Sequence, residues 1–208
     1  MHVAISGNIG SGKTTLTKML AHHYGWTPHF EPVMNNPYLE DYYKDIKRWA
    51  FNMEVFFLKE RFRDVLDITA NPTKDVIQDR SIFEGVYVFV ENNYAQGQLS
   101  ERDYTAYMEL FDHMVNIVKY PDLMIYLRAP LERLVENIQK RGRDYEQTIS
   151  LEYLKGLNER YEEFIKNRYK GKVMIVNVTD MDYQHCQEDF LKITDRIDAE
   201  LFGLFSNQ

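Results

Sequence analysis

Eight residues near the N-terminus constrain this chain more than anything else in it. Gly7-Asn8-Ile9-Gly10-Ser11-Gly12-Lys13-Thr14 follows a short apolar run, Val3–Ser6, and opens a stretch with helical spacing. Its glycines let the backbone wrap round an anion and turn N–H groups inward, while the helix adds its positive N-terminal end. Lys13 reaches the outer phosphates of a nucleoside triphosphate as a point charge, and the Thr14 hydroxyl can ligate Mg²⁺. A chain of this length meets the pattern by chance about one time in a hundred. A strand must feed such a loop and a helix must leave it, so the fold has to be α/β.

The remainder of the chain agrees. Apolar or β-branched runs at Pro28–Pro32, Asp75–Asp79, Leu123–Leu127 and Val173–Val176 read as four further strands, separated by longer helical segments. Alternation of this kind predicts a five-stranded parallel sheet with helices on both faces. Asn36-Pro37 can start a helix, with the proline in its first turn. Trp49–Thr69 is apolar on more than one face and reads as a buried helix. Ser100 with Asp103 opens a helix to about residue 119, and Ser150 opens Leu151–Tyr169. Leu131–Lys140 is helical, and a last helix is expected from Asp182 to Phe202, ending at Gly203. With 208 residues and no linker-like tract, residues 1–208 read as one domain.

The net charge of −7 argues against a nucleic-acid partner or an anionic membrane surface, so phosphate must be held by a few placed cations. One cysteine, Cys186, excludes an internal disulfide and a cysteine metal site, which fits a reducing, cytoplasmic location. No targeting signal is visible, and no run approaches the ~20 apolar residues that span a membrane.

The phosphate loop alone does not choose between a kinase, a motor and a GTPase switch. No Asn-Lys-x-Asp guanine-reading motif is present, and little length is left for motor machinery. Glu31 closes the second expected strand at its carboxyl end, where open parallel sheets place their ligands. A carboxylate there can orient a hydroxyl or take its proton. Asp79-Arg80-Ser81 closes the third strand, and Arg80 can neutralise charge on a transferred phosphoryl group. Arg141 and Arg143 flank a glycine after a helix, as in a lid that closes over phosphates.

Gly7–Thr15, Phe30-Glu31-Pro32-Val33, Arg48-Trp49, Asp79-Arg80-Ser81 and Arg141-Gly142-Arg143-Asp144-Tyr145-Glu146 together resemble the deoxyribonucleoside kinase family, in its bacterial deoxyadenosine/deoxyguanosine form. The resemblance implies a P-loop kinase-like three-layer fold with a small arginine-rich lid at about 141–149. It also implies transfer of the ATP γ-phosphoryl group to a deoxyribonucleoside 5′-hydroxyl, in nucleotide salvage. By resemblance Glu31 is the general base, with Arg80 and Lys13 as the other catalytic groups. ATP contacts fall to Gly7–Thr15, Arg141, Arg143 and the loop Asp180-Met181-Asp182. Acceptor contacts fall to Glu31, Tyr43, Glu54, Arg61, Arg80, Phe89 and Glu146, with Tyr43 and Glu146 on the sugar. Thr14 and Asp79 hold Mg²⁺ through water. A homodimer is implied, through helices from Ile82–Tyr94 and Arg102–Val118.

Two departures from the family pattern bear on the base. Glu54 stands where the family usually has glutamine, and Gly85 where it often has an aspartate paired with the arginine matching Arg61. An ionised Glu54 only accepts, and guanine offers it two donors, N1–H and the 2-amino group; adenine N1 would oppose that carboxylate unless a water intervenes or Glu54 is protonated. An unrestrained Arg61 can donate to guanine O6 and N7. A purine is therefore expected, guanine over adenine, with Phe57, Phe83 and Phe89 either walling the base pocket or packed as plain core. Against this, Glu54 could pair with Arg61 or another cation and read nothing. Two rivals to the kinase reading are a nucleoside monophosphate kinase of the thymidylate type and a non-catalytic nucleotide-binding regulator. The first needs cations where Glu31 stands; the second would have lost Glu31 or Arg80.

Overall fold

The structure, a computed structural model, describes residues 1–31 and 36–203, without the side chains of residues 145 and 147. Five strands form one parallel sheet: β1 (His2–Gly7), β2 (Thr27–His29), β3 (Val76–Asp79), β4 (Leu123–Arg128) and β5 (Val173–Asn177). Their order is β2-β3-β1-β4-β5. β1 pairs with both β3 and β4, so Gly7 leaves the sheet at its centre, and Ile5 lies in register with Asp79. The glycine-rich loop and the end of β3 are thereby brought side by side.

Helix α1 (Lys13–Tyr24) follows the loop, and α2 (Leu39–Lys44) and α3 (Ile46–Ala70) follow β2. After β3 the chain runs through α4 (Ile82–Glu84), a π-helical turn (Gly85–Val90) and α5 (Glu91–Ala95), then α6 (Glu101–Val115). Helix α7 (Leu131–Arg141), a 3₁₀ turn (Asp144–Thr148), α8 (Leu151–Glu163), a second π-helical turn (Phe164–Arg168) and α9 (Gln187–Phe202) complete the order. One face of the sheet packs Leu16 and Leu20 of α1 with Ile193 and Ile197 of α9. The other packs Leu58, Phe83, Tyr107, Phe111 and Tyr161, all nearly solvent-free. Each such side chain contributes about 1.5–3 kcal/mol relative to exposure. Among the described residues no helix is long and apolar enough to cross a membrane.

The expected elements occur, with differences that have local causes. β2 covers Thr27–His29 and stops before Phe30. Pro28 is tolerated because β2 is an edge strand. Pro32 and Val33 lie outside the described residues. α3 begins three residues before Trp49, because the Asp45 side chain accepts from Arg48 N–H at 3.0 Å and caps it. α6 ends at Val115, where Ile117 and Val118 turn to tighter bonds with Met114 and Val115. α9 starts at Gln187 and not at Asp182. Asp182 is held in a turn: its carboxylate meets the His185 ring at 2.9 Å, and its N–H donates to Asp189.

Candidate functional site

The loop from Gly7 to Gly12 curls at the head of α1. Gly12 has φ 95°, a conformation side chains resist, and a Cβ there would strike the Tyr183 hydroxyl. Tyr183 in turn donates to Gly12 O at 3.1 Å, pinning the β5–α9 loop to the phosphate loop. The Asn8 side chain faces inward, donating to Leu154 O and Asn158 at 3.1 and 3.2 Å, which leaves only its backbone to face a ligand. Lys13 Nζ donates to Asn8 O at 2.9 Å. Burial, then the charge of Arg80, push its ammonium down to about 7. Thr14 Oγ1 donates to Asp79 Oδ2 at 2.5 Å, joining the loop to the end of β3. Burial pushes the Asp79 carboxyl up, against the pull of Lys13 and the Thr14 hydroxyl.

Glu31, two residues beyond β2, is held by two arginines. Arg61 Nη2 donates to Oε1, and Arg80 Nε donates to Oε2 at 3.2 Å. Burial alone would raise the Glu31 carboxyl, but Arg61 and Arg80 hold it down at about 2. Arg80 is the one non-glycine with positive φ, 74°, among the described residues. That conformation costs about 1–2 kcal/mol. Its guanidinium lies 4.5 Å above the Phe89 ring and also donates to Tyr161. Phe89 therefore serves as a platform for Arg80.

Deeper in, Glu54 of α3 is 3% exposed and accepts at Oε1 from Asn93 Nδ2 at 3.0 Å. Asn93 Oδ1 accepts from Tyr42, and Tyr42 and Tyr153 share a 2.8 Å hydrogen bond. Burial pushes the Glu54 carboxyl up to about 8, against the pull of Arg61. Of the two forms left open by the sequence, burial thus favours the acid at Glu54 near neutral pH, able to donate as well as accept. Glu54 makes no ion pair with Arg61 within the described residues. Arg61 Nε and Nη1 are buried without a partner among the described residues, as is the Tyr107 hydroxyl. Gly85 permits this, since a Cβ there would collide with Arg61 Nη1.

Past α7, Arg141 donates to Glu146 Oε2 at 2.6 and 3.0 Å, and Arg143 to Oε1 at 3.3 Å. Glu146 is buried, although its arginines are partly open to solvent. Tyr43 of α2 faces the same space.

One cavity of about 300 Å³ joins these groups, large enough for a small ligand. Lys13, Thr14, Asp79, Arg80 and Glu31 lie on it with Tyr43, Glu54, Arg61, Phe57, Phe89, Arg141, Arg143 and Glu146. Phe83 does not. It is buried in the core, stacked on Tyr120 at 4.6 Å, so of the two places open to it, pocket wall and core, it takes the core. Asp180, Met181 and Asp182 lie off the cavity, where Met181 O accepts from Arg133 at 3.4 Å. Sequence reasoning missed Tyr42, Met53 and Tyr153, which line the cavity, and Asn93 and Tyr161 just behind it. No local motif marks these residues.

A profile of the family described as deoxynucleoside kinase matches residues 3–202. The deoxyadenosine/deoxycytidine kinase of Bacillus subtilis (strain 168) is 35% identical over 197 residues, spanning 94% of this chain and 90% of its own length. The deoxyguanosine kinase of the same organism is 34% identical over 198 residues, spanning 92% and 93%. The solved structure of deoxyadenosine kinase from M. mycoides with bound dATP gives a TM-score of 0.84 at 30% identity, over 95% of this chain and 100% of that one.

Proposed function

The chain belongs to the deoxynucleoside kinase family, and we propose that it passes the γ-phosphoryl group of ATP to the 5′-hydroxyl of a purine deoxynucleoside, forming the 5′-monophosphate for salvage. The observation that carries this reading is the placement of Glu31 between Arg80 and Arg61, on the cavity that Lys13 also lines. A monophosphate acceptor would meet the Glu31 carboxylate as a like charge. A hydroxyl acceptor meets it as a hydrogen-bond donor.

Glu31 orients the hydroxyl and takes its proton as the new O–P bond forms and the bond to ADP breaks. A carboxylate held near 2 is a weak base. That suffices where the transition state is loose and the proton departs late. Lys13 and the loop N–H groups hold the triphosphate, and Arg80 offsets charge on the transferred group. Arg141 and Arg143 exchange Glu146 for phosphate as the lid closes, freeing Glu146 to join Tyr43 on the 3′-hydroxyl.

Thr14 Oγ1 and Asp79 Oδ2, 2.5 Å apart, form a hard-oxygen donor set that suits Mg²⁺ with water completing the shell. Bound there, the ion would neutralise charge on the phosphates. A homodimer through Ile82–Tyr94 and Arg102–Val118 is consistent with exposed Tyr94 and Leu110 on those segments.

The test is a panel of four deoxynucleosides, their ribonucleoside counterparts and thymidylate, each with ATP and purified protein, with products separated by chromatography. Formation of purine deoxynucleoside 5′-monophosphates is expected. Phosphorylation of thymidylate alone would overturn the reading.

A further inference from the structure

Glu54 is a carboxyl group whose two oxygens are treated differently. Oε1 accepts from Asn93, which is itself 0% exposed and fixed by Tyr42. Oε2 accepts nothing from the described residues, while Glu54 lines the cavity. Resting on the purine kinase reading, we propose that Asn93 is a specificity-determining positioning residue. By filling Oε1 it reserves Oε2 for the ring nitrogen of the base, so that the proton on Oε2 selects the base. As an acid, Oε2–H donates to the lone pair of adenine N1. As a carboxylate, Oε2 accepts from guanine N1–H. The mismatched pairing sets two donors or two acceptors against each other in a closed pocket, a penalty of roughly five- to 150-fold.

The groups facing Glu54 leave it as the one that titrates around neutrality. Arg61 on α3 and Arg80 after β3 stay charged, as arginines do. Glu31 after β2 is held near 2 and stays ionised. Tyr42 on α2, Tyr107 on α6 and Tyr153 on α8 are all raised by burial and stay neutral. Lys13 titrates nearby, but it serves the phosphates and acts alike on both nucleosides.

The experiment offers deoxyadenosine and deoxyguanosine together with ATP, and reads the ratio of their kcat/KM values from about pH 6 to about pH 9. Effects on ATP, Glu31 and Lys13 cancel in the ratio. In wild type the deoxyadenosine share should fall five-fold or more as pH rises past the Glu54 transition at about 8. Ionisation of guanine N1 itself would move the ratio the other way and cannot imitate this. Glu54→Gln should abolish the fall in the deoxyadenosine share. Asn93→Leu removes a donor that favours the carboxylate, so the transition should move up by about one pH unit or more. A packing defect would slow both substrates and leave the midpoint in place. Infrared difference spectra of wild type against Glu54→Gln follow the buried acid without turnover. They separate failure of this inference from failure of the kinase reading. A ratio flat with pH in wild type, or an acid band whose midpoint is unmoved in Asn93→Leu, would overturn the role of Asn93.

Discussion

Arg61 donates through Nη2 to Glu31 Oε1, so an arginine of the cavity wall clamps the same carboxylate that Arg80 holds. Its other buried N–H groups, on Nε and Nη1, have no partner among the described residues. On the proposed reading, a base that supplies an acceptor to them would share Arg61 with Glu31 and so tie occupation of the cavity to the state of that carboxylate. The clamp also explains why Glu31 stays ionised in a largely buried position: two guanidinium groups outweigh its desolvation.

Glu31→Gln is expected to lower kcat by about 10²-fold or more, the usual scale for losing a general base, with little change in ATP affinity. Single-turnover kinetics and nucleotide binding measured on the same sample separate the two. Near-normal turnover would remove Glu31 from the mechanism. Because Glu31 is held at about 2, its contribution to stability is present above the ordinary carboxyl range and fades only as pH falls toward 2. It should therefore impose no acid limb on activity between about pH 5 and pH 8.

Arg80→Lys should fail despite keeping the charge. Arg80 uses its fork at once on Glu31, Tyr161 and the Phe89 face, and an ammonium cannot bridge all three. Arg141→Ala and Arg143→Ala should lower kcat more than they raise the nucleoside KM. Wild-type rates in all three variants would contradict this account of the acceptor site.

How much of this was legible in the sequence follows from how local each signal is. The glycine-rich loop, Glu31 and Arg80 are short motifs at strand ends, where chemistry demands particular residues at fixed spacing. Strand and helix alternation is likewise local, and the five-stranded parallel sheet follows from it. Asn93 meets Glu54 across 39 residues, and Tyr153 meets Tyr42 across 111. Such contacts exist only once helices pack, so no pattern announces them. The protonation of Glu54 stayed open for the same reason: it depends on burial, which spacing alone does not reveal. Phe83 stayed open because an aromatic at helical spacing looks alike whether it faces a pocket or Tyr120.

Lys13 carries a cost that its ligand relieves. Burial and Arg80 lower its folded value to about 7, well below that of an unfolded lysine. Between these values the unfolded chain binds more protons, so stability of the free protein rises with pH from about 7 to about 10. At neutral pH the buried charge is destabilising, and Lys13→Met should stabilise the nucleotide-free protein by about 1 kcal/mol or more. The same variant should lose the rise in Tm that ATP gives wild type. Thermal melts at about pH 7 and about pH 9, with and without ATP, read both effects. A variant no more stable than wild type at neutral pH would show that the ammonium is not strained.

Gly85→Asp tests whether the unpaired N–H groups of Arg61 are kept for the base. Gly85 faces Arg61 Nη1, near enough that any side chain displaces the guanidinium tip. That tip is the end of a flexible side chain, so a displacement is affordable. An aspartate would give Arg61 a partner and satisfy donors now buried without one. Stability should hold or rise, because a buried unpaired donor costs about 1–3 kcal/mol. Deoxyguanosine would lose the donor for its O6 and N7, so its kcat/KM should fall roughly five- to 150-fold. Deoxyadenosine, whose N1 is met by Glu54, should lose less. Gly85→Ala supplies the steric control, since it moves Arg61 without pairing it. Equal losses in the alanine and aspartate variants, on both nucleosides, would mean that Gly85 only makes room and that pairing of Arg61 does not govern the choice of base.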